Sequence, residues 1–258
     1  MKNVVYAKKR FGQNFLIDKN IINKIINLVG TYDYIVEIGP GRGALTLQLI
    51  KIAKSVYVYE IDPDMVNILK ENINTENLFI YQQDFLKADL SNLPKSIIVA
   101  NIPYYITTDI LFKIFEHRDK FSKVILMVQK EVAQRIVANY KSKEYSKLSL
   151  SCQFLANVKI EFVVSASCFS PAPKVDSAII SLEFKDNIDN YTWNTYKEFF
   201  KLCFINRRKK LISALKSVYS MSDIQFAYNC LKMHENIRIQ EIPIEQVILL
   251  YQYLNKRI

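Results

Sequence analysis

Residues 34–46 read YIVEIGPGRGALT, a strand pattern followed by a glycine-rich turn and the start of a helix pattern. Gly39, Gly41 and Gly43 lack side chains, so the backbone of this turn can approach a bound cofactor closely. The same glycines would also suit a tight strand-to-helix turn that binds nothing. The stretch predicts the first β-α unit of a Rossmann-like sheet.

Short apolar runs continue along the chain and alternate with helix-patterned segments. The runs are SVYVYEI, LFIYQ, SIIVANI, KVILMVQ, KIEFVVSA and SAIISLEF, which start at residues 55, 78, 96, 123, 159 and 177. Helix patterns cover residues 43–53, 108–115, 131–140 and 147–156, and others begin after Asp18 and at Pro63. Because this alternation is typical of a parallel sheet covered on both faces, we predict an α/β fold with a seven-stranded sheet.

The sheet is expected to end near Phe184, where the polar segment KDNIDN begins. Four helix-period patterns follow this segment, which indicates a small C-terminal helical domain. We therefore predict two domains, residues 1–185 and residues 186–258.

Three acidic residues lie at or close to the ends of the predicted strands. Glu60 ends the second strand about 20 residues after the glycines, where a carboxylate can accept both hydroxyls of a cofactor ribose. A nicotinamide enzyme could share that layout, but Glu37 before the glycines suits a cofactor with a cationic aminoacyl end. S-adenosylmethionine is therefore favoured. Asp84 follows the third strand and is expected to bind the adenine amine of the cofactor, although aspartate is also common in ordinary turns.

The tetrapeptide Asn101-Ile102-Pro103-Tyr104 ends the fourth predicted strand. An exocyclic adenine amine is a poor nucleophile, because its lone pair is delocalised into the ring. The Asn101 side-chain oxygen and the Ile102 carbonyl can accept both amine protons, while Pro103 stiffens the turn and Tyr104 stacks on the base. A proline turn with a packed tyrosine is the alternative. The tetrapeptide predicts methyl transfer to an adenine amine without a titrating base.

The charge balance favours a polyanionic partner. The chain has 35 Lys and Arg against 25 Asp and Glu, a formal net charge of +10. The run RRKK precedes an amphipathic helix pattern, and four cations at a helix start oppose the helix dipole, which suggests a phosphate partner rather than a solvated face. The candidate RNA contacts are Arg207, Arg208, Lys209 and Lys210, together with Lys8, Lys9 and Arg10.

Cysteine and histidine usage argues against other classes. Four widely spaced cysteines form no CxxC pair, and the chain has two histidines, so neither a metal site nor histidine-based catalysis is expected. The basic start of the chain lacks a following apolar stretch, and no run approaches the length of a membrane span. We expect a cytoplasmic protein that is not bound to a membrane.

Seven motifs recur in an order that resembles one family. They are KKRFGQNFL at 8–16, VEIGPGRGALT at 36–46, EID at 60–62, QDFL at 83–86, NIPYYI at 101–106, QKEVAQR at 129–135 and FSPAPKVDS at 169–177. The chain resembles the ribosomal RNA adenine dimethyltransferases, most closely the KsgA type that acts on small-subunit RNA. The resemblance covers nearly the whole chain and implies a class I methyltransferase fold that uses S-adenosylmethionine.

The resemblance also implies site residues. Phe169 would flank the target adenine opposite Tyr104, although the sequence alone favours a buried core aromatic. The implied cofactor contacts are Gln13, Asn14, Leu16, Glu37, Gly39, Gly41, Glu60, Ile61, Asp84, Phe85 and Asn101.

By resemblance, the substrate is a pair of adjacent adenosines in a hairpin near the 3′ end of small-subunit RNA, methylated during ribosome assembly by a monomer. Three alternatives stay open: a resistance enzyme acting on large-subunit RNA, a DNA adenine methyltransferase, and a non-catalytic RNA-binding assembly factor. Ser146 stands where the family usually has glycine, which leaves the loop at 145–149 as a departure.

Overall fold

The computed structural model describes residues 7–8, 11–186 and 188–256, and this part of the chain forms nine strands and ten α-helices. The strands are β1 (Phe15–Leu16), β2 (Tyr34–Ile38), β3 (Ser55–Glu60), β4 (Leu78–Gln82), β5 (Ser96–Asn101), β6 (Phe121–Gln129), β7 (Ala156–Val164), β8 (Phe169–Ser170) and β9 (Ser177–Phe184). The helices are α1 (Lys19–Val29), α2 (Thr46–Leu49), α3 (Pro63–Asn72), α4 (Thr107–Glu116), α5 (Lys130–Ile136), α6 (Lys147–Leu155), α7 (Asn190–Cys203), α8 (Ile212–Leu215), α9 (Met221–Cys230) and α10 (Ile244–Leu254).

The predicted seven-stranded sheet is confirmed, with the order β4-β3-β2-β5-β6-β9-β7. Strands β2 to β6 are parallel to one another, whereas β9 is antiparallel to β6. The chain runs outward from β2 to β3 and β4 on one side, and then returns to β5 on the other. Such a reversal opens a crevice at the carboxyl ends of the strands, where ligands of open α/β sheets bind.

Two predicted helices are shorter than their sequence patterns. The pattern at 43–53 gives only α2, because Gly41 and Gly43 adopt positive φ of 55° and 82° and keep the preceding residues in a turn. The pattern at 131–140 stops at Ile136 in α5. There, the Gln153 side chain donates to the carbonyls of Ile136 and Ala138, 3.2 and 2.9 Å away, and satisfies them without further helical turns.

Other predicted boundaries agree with the structure. Asp18 caps α1 by accepting hydrogen bonds from the backbone of Asn20 and Ile21, as predicted. Ser146 caps α6 in a reciprocal pair with Ser149, in which the Ser146 N–H donates to Ser149 Oγ at 2.9 Å. Ser146 therefore has a structural role, because its side chain caps the first turn of α6.

The chain divides into two compact units that differ from the predicted domains in one segment. The first comprises residues 1–133 and 159–184, and the second residues 134–158 and 185–258. Residues 134–158 were predicted to belong with the sheet. They cluster instead with the C-terminal helices because Phe154 of α6 contacts the rings of Trp193, Tyr196 and Phe200 on α7.

Among the described residues, no helix has both the length and the apolar composition that spanning a bilayer requires. Within the same part of the chain, no group of three or more His, Cys, Asp or Glu residues is arranged to hold a metal ion.

Candidate active site

A cavity of about 480 Å³ opens in the first unit, where the parallel strands end. It is large enough for a nucleoside-sized ligand. Every residue predicted to contact the cofactor lines it. The walls come mainly from residues 11–17, 37–42, 44–45, 59–61, 83–86 and 101–106.

The glycine turn forms one wall and cannot accept side chains. Gly39 and Gly41 have φ of 66° and 55°, a region that other residues rarely adopt. A Cβ on Gly41 would lie 3.0 Å from the Phe15 ring, and the Arg42 guanidinium stacks over the same ring at 4.4 Å from its centre. The turn therefore packs against β1 and presents bare backbone to the cavity.

The Glu60 carboxylate is tied to the glycine turn. Its two oxygens accept hydrogen bonds from the backbone N–H groups of Gly41 and Asp62, at 3.1 and 2.9 Å. Burial raises the pKa of Glu60, and these two backbone donors partly offset that rise. Each carboxylate oxygen has a second lone-pair position, so Glu60 can still accept hydrogen bonds from two ribose hydroxyls.

Glu37 is a second buried carboxyl on the cavity wall, with 2% of its surface exposed. Its Oε2 accepts a hydrogen bond from the Thr46 hydroxyl at 2.6 Å. Burial raises the pKa of Glu37 to about 8, although the Thr46 hydrogen bond opposes the shift. A cationic ligand group beside Glu37 would favour its ionised form.

A third acidic residue, Asp84, lies between apolar walls. Its Oδ1 accepts a hydrogen bond from Leu86 N at 3.0 Å, which fixes the side chain at the end of β4. Phe85 is buried and meets the Tyr59 ring edge-on at 5.5 Å, whereas Ile61 is half exposed. Ile61, Asp84 and Phe85 together suit a flat aromatic ligand with one polar edge.

The N-terminal segment is fastened to the turn after β3. Lys8 Nζ lies 2.6 Å from Asp62 Oδ1 and 2.5 Å from Asp64 Oδ2, and Gln13 Nε2 donates to Asp62 Oδ2 at 2.8 Å. Burial acts to raise the pKa of Asp62, but the hydrogen bonds from Lys8 and Gln13 outweigh it and hold the pKa below its usual value.

This arrangement changes the interpretation of the predicted RNA contact at Lys8. The Lys8 ammonium is used within the molecule, because it neutralises Asp62 and Asp64. Lys9 and Arg10, the other two residues predicted there, lie outside the described residues.

The Asn101 turn reaches the cavity from the end of β5. Asn101 Nδ2 donates to the Asn14 carbonyl at 3.2 Å, which leaves its Oδ1 to accept hydrogen bonds. The Ile102 side chain is buried and anchors the following peptide. The Tyr104 hydroxyl lies 2.7 Å from Ser177 Oγ, at the start of β9. Asn101, Ile102 and Tyr104 all line the cavity that the buried carboxylates also line.

Phe169 does not line the cavity. It is 3% exposed, belongs to the hydrophobic core, and pairs with Leu16 in the two-stranded β1-β8 sheet. The predicted position opposite Tyr104 is therefore not seen, and the alternative of a buried core aromatic describes this conformation.

The basic cluster at 207–210 lies in the second unit, in turns between α7 and α8. The predicted helix-start argument does not hold, since α8 has four residues and begins at Ile212. The Arg207 guanidinium donates to the Lys143 carbonyl and to Gln240 Oε1, and thereby braces the turn. Arg208, Lys209 and Lys210 are exposed.

Three wall or support residues escaped prediction. Gly12 has φ of 59°, and a Cβ there would lie 3.2 Å from the Tyr105 ring and 3.3 Å from Pro103. Tyr105 is 66% exposed at the cavity. Ser177 bonds Tyr104. Gly12 and Ser177 lie inside motifs already quoted, but their contacts are tertiary and leave no local pattern.

A comparison with family models decides the assignment. The model described as "Ribosomal RNA adenine dimethylase" matches residues 4–256. The chain belongs to the ribosomal RNA adenine dimethylase family. The predicted family, enzyme class and class I methyltransferase fold are confirmed.

Curated relatives match along their whole length. A protein named "Ribosomal RNA small subunit methyltransferase A" from Mycoplasmopsis synoviae is 51% identical, with 96% of this chain and 97% of the relative covered. The protein of the same name from Mycoplasma mobile is 45% identical, with 96% and 98% covered.

Solved structures of two related enzymes share the fold. A dimethyladenosine transferase from Plasmodium falciparum matches with a TM-score of 0.80 and 27% identity, over 94% of this chain and 98% of the other. The 23S rRNA methyltransferase ErmE matches with a TM-score of 0.74 and 25% identity, over 94% and 100%.

Proposed function

We propose that this protein transfers methyl groups from S-adenosylmethionine to the exocyclic amines of two adjacent adenosines in small-subunit ribosomal RNA, in the cytoplasm and during ribosome assembly. One observation carries the proposal: Asn101 lies on the same cavity as Glu37 and Glu60, and the Asn14 carbonyl engages its amide nitrogen. Relatives at 51% and 45% identity that are named for small-subunit methylation support the choice of RNA.

The cavity residues fit the proposed methyl donor. When bound, S-adenosylmethionine supplies a methyl group on a cationic sulfonium. Glu60 would accept hydrogen bonds from its ribose hydroxyls, and Glu37 would balance the charge of its ammonium. Asp84 would accept a hydrogen bond from its adenine amine, and Ile61 and Phe85 would contact the adenine ring. The glycine turn has no side chains on its cavity side, so the donor can approach its backbone closely. A Cβ at Gly41 would collide with the Phe15 ring.

The Asn101 turn prepares the target amine. Asn101 Oδ1 and the Ile102 carbonyl would accept hydrogen bonds from its two N–H groups, so the nitrogen lone pair is withdrawn from conjugation with the ring and is available to the methyl group. The nitrogen becomes cationic as it takes the methyl group, and it then releases one proton to solvent. Tyr104 stacks on the base and holds it in plane. No histidine takes part, since His117 and His234 both lie outside the cavity wall.

The second unit supplies the charge for RNA. Its sequence has 16 Lys and Arg against 8 Asp and Glu, whereas the first unit has 19 against 17. Most of the net charge of +10 therefore belongs to residues 134–158 and 185–258. We assign phosphate contacts to the exposed Arg208, Lys209 and Lys210, and a bracing role to Arg207, because neutralising phosphates releases counterions from the RNA.

A substrate comparison tests the proposal. The protein is incubated with labelled S-adenosylmethionine and, separately, small subunits, large subunits and duplex DNA, and the methylated nucleotide is mapped by mass spectrometry. We expect dimethyladenosine at two adjacent positions of small-subunit RNA. Large subunits are a necessary control because the fold also matches the 23S rRNA methyltransferase ErmE. Label only in large subunits would favour the resistance activity. Label only in DNA would contradict the RNA assignment.

The non-catalytic alternative is separated by Asn101→Ala. A variant that binds small subunits but transfers no methyl group would support catalysis at Asn101. A wild-type protein that binds small subunits and fails to bind S-adenosylmethionine would favour an assembly factor without activity.

A further inference from the structure

The hydroxyl of Tyr104 lies 2.7 Å from Ser177 Oγ, across 73 residues of sequence. We propose that Ser177 is a positioning residue, which holds the Tyr104 ring in the plane that stacks on the target adenine. This inference rests on the proposed function, because it assigns a task to a residue that supports the base-binding tyrosine.

Ser177 is a fixed point in the fold. It is fully buried at the first position of β9 and pairs with Gln129 of β6. The preceding Asp176 accepts a hydrogen bond from Lys130 N at 3.0 Å through its carbonyl, and another from Ala166 N at 3.1 Å through its carboxylate. The backbone on both sides of the Ser177 hydroxyl is therefore anchored.

Tyr104 is less constrained. It begins a 3₁₀ turn at 104–106, after the end of β5, and its side chain is partly exposed on the cavity wall. Among the described residues, its hydroxyl bonds to Ser177 alone, and its ring stacks on no other aromatic ring. Burial raises the pKa of Tyr104, against the effect of the Ser177 hydrogen bond, so the phenol stays neutral and the bond persists at neutral pH.

The hydrogen bond therefore restricts rotation of the ring. Without it, Tyr104 keeps the same stacking surface but samples several orientations. A base held by a mobile ring spends less time with its amine aligned to Asn101, so the rate of methyl transfer falls. Binding of the methyl donor is unaffected, since Ser177 lies away from the cavity wall.

A double-mutant cycle tests the pair. Single-turnover methyl transfer is measured at saturating donor with small subunits, for wild type, Ser177→Ala, Tyr104→Phe and the double variant. Losing one hydrogen bond is expected to lower the rate about 3- to 10-fold in each single variant. The double variant should be no slower than either single one, because each change removes the same bond.

A matched control separates positioning from stability. Ser181→Ala removes another buried hydroxyl of β9, which bonds Glu161 at 2.6 Å. This variant should keep the wild-type rate, and all variants should bind the methyl donor within about twofold of wild type.

Two results would overturn the inference alone: wild-type rates in Ser177→Ala while Tyr104→Ala is inactive, or independent, multiplicative losses in the double variant. A different result marks failure of the proposed function. If wild-type protein methylates no ribosomal RNA, or Tyr104→Ala retains full activity, the base-binding role falls and the positioning role with it.

Discussion

The two compact units of this chain differ in how their polar groups are arranged. In the first unit, buried carboxylates have specific partners, as with Glu37 and Thr46 or Glu60 and Gly41. In the second, cations such as Arg208 and Lys209 are exposed on turns, and basic residues outnumber acidic ones two to one. Under the proposed function, chemistry depends on the placement of a few groups in the first unit, whereas attraction to RNA depends on the amount of charge in the second.

The comparison predicts its largest effect at Asn101. Asn101→Ala removes an acceptor that acts on the reacting amine, and we expect the methyl-transfer rate to fall by about 10²- to 10³-fold or more. Donor and RNA affinities should fall much less than the rate, because Asn101 is one of many residues on the cavity wall and the others still hold the donor. Single-turnover kinetics and equilibrium binding measure the two effects separately. A large loss of donor affinity with an unchanged rate would assign Asn101 to binding instead.

Removing charge from the second unit should have the opposite effect, a loss of RNA affinity with the methyl-transfer rate retained. Replacing Arg208, Lys209 and Lys210 by alanine is expected to weaken RNA binding about 10- to 100-fold and to reduce the slope of log affinity against log salt by about 2 to 3. The rate at saturating RNA should be retained. Titrations at several salt concentrations measure the slope.

A charge-matched control belongs with that experiment. Replacing Lys19, Lys51 and Lys70 by alanine removes three exposed lysines from the first unit. This variant has the same net charge as the triple variant of the second unit. Similar losses of RNA affinity in the two triple variants would mean that charge in the second unit has no special part in binding.

A smaller effect, on donor affinity, is expected from weakening the contacts of Lys8 and Gln13 with Asp62. Asp62→Asn weakens the hydrogen bonds to Lys8 and Gln13, so residues 11–17 should line the cavity less firmly. We expect donor affinity to fall about 3- to 10-fold, measured by calorimetry. Asp64→Asn, which affects only the exposed partner of Lys8, is the control and should change affinity less. Equal effects would show that Lys8 alone matters.

The smallest effect concerns stability and pH. The pKa of Glu37 is about 8 in the folded protein, above its unfolded value, so the ionised form disfavours folding. Stability therefore decreases as pH rises between about 4.5 and 8, the window set by these two values. Glu37→Gln should remove this decrease and raise the Tm at pH 8 by roughly 2 to 8 °C.

Thermal unfolding at pH 5 and pH 8 checks the Glu37 prediction. Glu183→Gln, at an exposed carboxylate of β9, serves as the control and should show no such pH-dependent gain. An unchanged pH profile in Glu37→Gln would place the titration on another group.

Local sequence patterns predicted the sheet, because apolar runs such as SIIVANI suit strands buried on both faces. They also predicted the cavity residues that follow strand ends, such as Glu60 and Asn101. They did not predict β1, since a two-residue strand has no periodicity. Nor could they predict that Lys8 pairs with Asp62, 54 residues away, since this pair depends on tertiary packing. For Phe169 the sequence alone favoured the burial that is observed, whereas the family resemblance placed the ring opposite Tyr104.

The most direct measurement is a crystal structure of the protein with a methyl-donor analogue and an adenine-containing oligonucleotide. The account predicts the exocyclic nitrogen of one adenine about 2.7–3.2 Å from both Asn101 Oδ1 and the Ile102 carbonyl oxygen, with the ring stacked on Tyr104. An adenine bound elsewhere, with Asn101 out of reach of any nucleotide, would contradict it.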